Sequence, residues 1–244
     1  KVQAALGPPS NAQAVDGELE LFVAVAADWL WARYDRAVNA HMARRDELAR
    51  ASLEGLEEAG KRADAICDQR KVPRRSADPG KPAPSHFGFL DNVGLLAADQ
   101  ERRARSPRKR ADLAALATVD AKARIEALIA ELEEVDERQW GQPGGVSLGS
   151  SPIVAALAKE GDAAVEPLLA VLESDVRLTR SVHFWRDFAR HRSPLGVHEA
   201  AYVALSTILD VSAFTAVATG DDLSARGPEG RKAVVAALRA HAAK

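Results

Sequence analysis

Apolar residues recur at steps of three and four over most of the chain, the period of a helix with one buried face. From Val23 the series Ala27, Leu30, Tyr34, Val38, Met42, Leu48, Leu56, Ala59, Ala63 and Ile66 keeps to such steps or their multiples, with no proline before Pro73. Asp16 suits an N-cap, with Glu18 and Glu20 in the first turn. The pattern predicts a long amphipathic helix, or a helical hairpin, over 16–71, weakened at Gly55 and Gly60. A straight helix of that length would reach about 80 Å at 1.5 Å per residue. That is too long for a compact domain, so a break or a packed partner is expected. Arg44, Arg45, Asp46, Glu47, Glu54, Glu57 and Glu58 read as its solvated face. Residues 1–15, with Pro8, Pro9, Ser10 and Asn11, read as a flexible lead.

Four prolines (Pro73, Pro79, Pro82 and Pro84) make 72–86 a linker. Beyond it, 87–244 forms a second helical region. Asp91 suits a cap for a short helix reaching Arg105, which Pro107 ends. Leu113, Leu116, Val119, Ile125, Leu128, Ile129, Leu132 and Val135 have helical spacing, with Asp120 as a cap. The loop 141–151 interrupts them. Pro152 restarts a helix in its first turn, Gly161-Asp162 turns into the next, and further helices are predicted over about 197–209 and 228–242. Nowhere does a strict alternation demand a sheet.

Short helices joined by tight turns cannot cover their own apolar faces, so neighbours must stack. The segment Ala164 to Asp175 resembles the first helix of a HEAT repeat. Pro167 and Asp175 have the spacing of that family's proline and turn aspartate. Val197-His198, Ala201, Ala204-Leu205-Ser206 and Ile208 resemble its second helix, with His198 and Ser206 where the family has Arg and often Gly. The separation of Asp175 from Val197 is far longer than the family's turn, which leaves an insertion at 176–195. The resemblance is clearest over 152–210. It implies an all-α fold, an N-terminal long helix or hairpin followed by a HEAT-like α-solenoid of about three helix pairs. It also implies scaffolding and partner binding rather than catalysis.

Composition agrees with helices. Alanine supplies 49 of 244 residues, and aromatics only 5%. The single cysteine, Cys67, excludes an intrachain disulfide framework and a Cys-rich zinc site. A net charge of −2 does not mark a dedicated nucleic-acid protein. Charge is segregated, however: residues 61–110 carry a net +7 and residues 111–180 a net −7. The two stretches are able to dock on one another or to face different partners. The chain starts at Lys1, which fits either a mature N-terminus after signal cleavage or a fragment. Periplasmic or secreted and cytoplasmic locations stand equal on that basis.

The insertion mixes Val176, Leu178, Val182, Phe184, Trp185 and Phe188 with Arg177, Arg180, Arg186, Arg190, His191 and Arg192. Such a mixture suits, in descending order, a core-covering layer with snorkelling arginines, a protein-binding surface, and an anionic ligand. The binding candidates are Trp140, His183, Trp185, Arg186, Arg190 and His191, with Trp140 at the edge of a glycine-rich loop. His183 and Asp187 are four apart and share a helix face, but no nucleophile elbow accompanies them, and an ion pair is the simpler reading. His183, His191 and His198 with Asp187 and Glu199 match no zinc spacing. The basic run Arg102, Arg103, Arg105, Arg108, Lys109 and Arg110 reads first as a solvated connector countering the acidic helices after it, and second as a polyanion site. The expectation is therefore a non-enzymatic interaction or scaffold module without a cofactor or metal. Its partner is a protein, with nucleic acid as the alternative, then an enzyme with a site in 176–198. No membrane span is expected.

Overall fold

The computed structural model describes residues 11–72, 86–139, 145–184, 192–211 and 227–243, and the side chains of 11–20 and 228 are outside that description. The molecule is mostly helical with one small antiparallel sheet of two strands. No described helix is long and apolar enough to cross a membrane.

The expected long helix is three: α1 (Asn11–Met42), α2 (Asp46–Leu53) and α3 (Leu56–Gln69). Helix α1 starts before Asp16, which lies inside it rather than capping it. The first break falls at Arg44, in the left-handed region at φ 58°, and the second at Gly55, at φ 66°. Gly55 is a residue that adopts this geometry without strain; Arg44 is not, and it is held by ion pairs with Glu134 and Asp136. Helix α3 continues through Gly60, where the Leu90 side chain packs against it. The linker core, 73–85, lies outside the described residues.

Helix α4 (Leu90–Arg105) crosses α2 and α3. Asp91 falls in its first turn, behind the N-cap position at Phe89. Leu30, Tyr34, Val38, Leu53, Leu56, Cys67, Phe87, Phe89, Val93 and Leu96 form one buried cluster. Tyr34 stacks on Phe89 with centroids 5.5 Å apart, and Trp31 meets the Phe89 ring edge-on.

Helices α5 (Leu113–Leu116), α6 (Ala121–Glu131), α7 (Pro152–Lys159), α8 (Asp162–Ser174), α9 (Val197–Ile208) and α10 (Gly227–Ala242) follow. Asp120 caps α6 by accepting from the Ala123 amide, Pro152 opens α7, and Gly161 turns the chain at φ 60°. Helix α8 lies along α9, with α6, α7 and α10 around them. Ile125, Leu128, Leu157, Leu168, Leu169, Leu172, Ala201, Leu205 and Leu238 are among the residues of their common core.

The insertion is not helical where it is described. Strand β1 (Leu178–Phe184) pairs antiparallel with β2 (Arg192–Gly196), Val182 opposite Pro194 and His183 opposite Ser193, with an irregularity between Leu178 and Val182. Pro194 is incompatible with a helix interior, and Thr179 and Val182 favour an extended chain. Five successive residues of β1, 178–182, are buried, so both its faces are covered and no alternation marks it. Leu178 and Val182 join the core of α1–α4, not that of the helices flanking the hairpin.

Candidate functional site

The hairpin enters the N-terminal helices through a buried polar junction. Arg103, in the last turn of α4, is 8% exposed. Its Nε donates to Asp99 at 2.6 Å, its Nη1 to Glu134 at 2.9 Å, and its Nη2 to the carbonyls of Glu133 and Leu178. Arg102 bridges Asp99 and Glu133. On β1, Arg180 is equally buried and pairs with both oxygens of Asp46, at 2.6 and 3.0 Å, and with Glu134 at 3.4 Å. Planar guanidinium forks satisfy several acceptors at once, which a lysine ammonium in their place would not.

Burial pushes the Asp99 and Glu134 carboxyls up, but the neighbouring arginines more than reverse this and hold both below the usual carboxylate range. Asp46 is held down in the same way by Arg180. His41 is fully buried among these groups. Desolvation, and then the Arg180 charge, lower its pKa to about 4, so the ring is neutral at neutral pH. Its Nε2 lies 2.7 Å from the Thr179 carbonyl, an obligatory acceptor, so Nε2 carries the proton. Nδ1 then accepts from the Gln100 amide nitrogen at 2.9 Å. Turned over, the same amide would donate to Asp46 and accept from Nδ1–H, an arrangement that belongs to the protonated ring.

The outer edge of β1 is equally engaged. Val135 accepts from the Arg180 amide at 2.8 Å, and Gln139 exchanges two hydrogen bonds with the backbone of Phe184. Strand β2 is tied to α1: the Tyr34 hydroxyl donates to the Arg192 carbonyl at 2.6 Å, and Arg192 pairs with Asp35 at 2.9 Å. The junction's charged atoms thus face one another. The arrangement clamps the hairpin to α2 and α4.

The basic run divides. Arg102 and Arg103 belong to this clamp, so the reading of the whole run as a solvated connector is corrected for Arg103, which the carboxylates of Asp99 and Glu134 draw into the interior. Arg105 and Arg108 are exposed and bond to the carbonyls of Glu101 and Ala130, and Lys109 and Arg110 are exposed beside them. Of the other candidates, His183 is half-buried on β1. It lies on a strand, not on the helix that the His183–Asp187 pairing was read on. Trp140, Trp185, Arg186, Arg190 and His191 lie outside the described residues, as does Asp187. Among the described residues no three acidic, histidine or cysteine side chains are grouped to hold a metal.

One surface was not anticipated. On α1, Leu21, Phe22, Val25 and Trp29 are exposed, Leu21 and Val25 by 65% and 60%. Trp29 carries the Arg33 guanidinium over its ring at 5.1 Å. Phe22, Trp29, Arg62 and Ile66 rim a shallow groove of about 360 Å³ between α1 and α3. A second groove of about 360 Å³ follows along the same helix, lined among others by Ala32, Asp35, Arg36, Asn39, Arg45 and Leu48. The sequence signal was present: Leu21 to Trp31 is apolar almost all round, more than one core contact uses. Together with Ile66, also exposed, these four side chains amount to a patch on the order of a few hundred Å², the size at which exposed apolar surface is often functional. Comparison with family models, curated proteins and solved structures finds no match to the chain.

Proposed function

We propose that this chain is a non-enzymatic helical interaction module, with the α1–α3 surface as its binding face. The exposed line Phe22–Val25–Trp29 beside a groove carries the reading. Aromatic residues and arginine are favoured anchors at protein interfaces, and Trp29 with Arg33 places both on one helix turn. The support behind this face is rigid. α1 is buried on its far side against α2–α4, and β2 is tied to it through Tyr34 and Asp35. Rigid anchors lose less freedom on binding. The HEAT-like stack belongs to the same proposal, supported by the side-by-side packing of α8 and α9 in one apolar core. The polyanion reading is weakened by the commitment of Arg102 and Arg103 to carboxylates.

A photo-crosslinking residue placed at position 25 tests the function, with exposed position 122 as control. The expected result is a discrete adduct from position 25 that excess unlabelled chain competes away and that Trp29→Glu abolishes. No adduct, or equal labelling from both positions, overturns the proposal.

A further inference from the structure

The exposed line on α1 has a self-complementary order of residues. Phe22, Val25, Trp29, Ala32 and Arg36 are all exposed and are separated by alternating steps of three and four. That is the 3.5-residue period of a seam between two helices. The opposite side of α1, at Leu30, Tyr34, Ala37 and Val38, is buried in the molecule's own core. The helix therefore has one apolar side in use and a second apolar stripe that no described residue covers.

Charge selects what covers it. Residues 2–32 contain Asp16, Glu18, Glu20 and Asp28 and no lysine or arginine, whereas Arg33 and Arg36 follow directly. Position 18, seven before Val25, is Glu; position 36, seven after Trp29, is Arg. A helix with one acidic and one basic end along a single seam matches a copy of itself running the other way. A two-fold axis midway between 25 and 29 sets Val25 of one copy against Trp29 of the other, Phe22 against Ala32, and Glu18 against Arg36. Large residues then oppose small ones, and the acidic N-terminal stretch of each helix runs toward the end of the other that carries Arg33 and Arg36. A parallel pairing sets Glu18 on Glu18 and Arg36 on Arg36, which repels.

We infer that α1 pairs antiparallel with α1 of a second copy of this chain, forming a two-fold dimer along residues 22–36. This rests on the reading of the same surface as an interaction face and names its occupant. An isologous contact of this kind closes at two copies and does not propagate.

Sedimentation equilibrium of the full chain across the micromolar range tests it. The expected species is twice the 26.1 kDa chain mass. Val25→Glu, at a position 60% exposed, places two charges in the seam. It raises the dissociation constant by about tenfold or more while leaving the circular dichroism unchanged. Glu18→Lys or Arg36→Glu alone weakens the dimer, and the two together restore it. A chain that stays monomeric throughout overturns the inference. So does a dimer indifferent to Val25→Glu and to the charge exchange. The position-25 crosslink separates the two proposals: an adduct to a different protein from a monomeric chain overturns self-pairing and leaves the interaction face standing. Absence of any adduct removes both.

Discussion

The cluster around α8 and α9 is assembled from residues that follow one another along the chain, nearly all of them Leu, Val, Ile or Ala. The cluster around α1–α4 is completed from far away, by Leu178 and Val182 of a hairpin that leaves the chain between α8 and α9. At the entry point of that hairpin the interior is ionic: Arg103 and Arg180 against Asp46, Asp99 and Glu134. The contrast teaches how two helical regions become one body. An apolar strand alone would add burial, which is non-directional. Charged groups removed from water tolerate few arrangements, because a displaced partner leaves an uncompensated charge. The apolar side chains bring the hairpin in, and the arginines fix where it sits.

The strongest way to break this contrast is to remove one arginine. Arg103→Ala leaves Asp99 and Glu134 buried with fewer partners and is expected to cost about 3–5 kcal/mol in urea unfolding. Arg239→Ala removes a pair with Glu166 in which both side chains are more than half exposed, and is expected to leave urea unfolding almost unchanged. Equal costs would mean that the junction is no more than surface electrostatics. Leu178→Ala comes next, at roughly 2–5 kcal/mol for a buried leucine. The location of the loss discriminates better than its size. Hydrogen exchange should speed up in α1 and α4, distant in sequence, as well as in the hairpin.

Acid acts on the junction with a definite sign. The His41 pKa lies at about 4 in the folded chain, against 6.5 when unperturbed, so the unfolded chain binds the proton first. The stability contributed by keeping the ring neutral is complete above pH 6.5, falls as pH drops toward 4, and amounts to about 3 kcal/mol at most. His198 is shifted the same way, by burial and then by Arg231. The depressed carboxylates Asp46, Asp99 and Glu134 extend the loss below pH 4. His41→Gln should reduce the fall between pH 6.5 and 4 to the part that His198 contributes, and leave the lower segment. An unchanged profile would remove His41 from the account.

The two regions also differ in how far the sequence discloses them. Asp120, Pro152, Gly161 and Pro107 mark helix ends by local chemistry, and the structure has ends there. The opposite charges of the two middle stretches are likewise visible in the residues, and Arg102 and Arg103 meet Glu133 and Glu134 as their docking would require. The hairpin is concealed because β1 is covered on both faces and its pairing partner follows a stretch of mixed aromatic and basic residues. The junction is concealed because its members lie on α1, α2, α4, β1 and the turn at 132–134: more than 130 residues separate Asp46 from Arg180, and no spacing rule spans that. The break after α1 is concealed because its left-handed residue is an arginine.

That arginine supplies the smallest and sharpest comparison. Arg44 has φ 58° and pairs with Glu134 at 3.0 Å and with Asp136 at 2.8 Å, its side chain about one-third exposed. Either the backbone needs the bend and the pairs merely occupy it, or the pairs hold a bend that the backbone resists. Arg44→Gly relieves about 1 kcal/mol of left-handed strain and loses pairs worth about 1 kcal/mol at this exposure. The net change is expected to be near zero. Arg44→Ala loses the pairs and keeps the strain, so it should be less stable than the glycine variant by about 1 kcal/mol. If both variants fall equally, the bend does not depend on backbone freedom at this residue. The docking of α1 onto the 132–136 segment would then be what separates α1 from α2, and the ionic junction would reach one helix further than Arg103 and Arg180 alone take it.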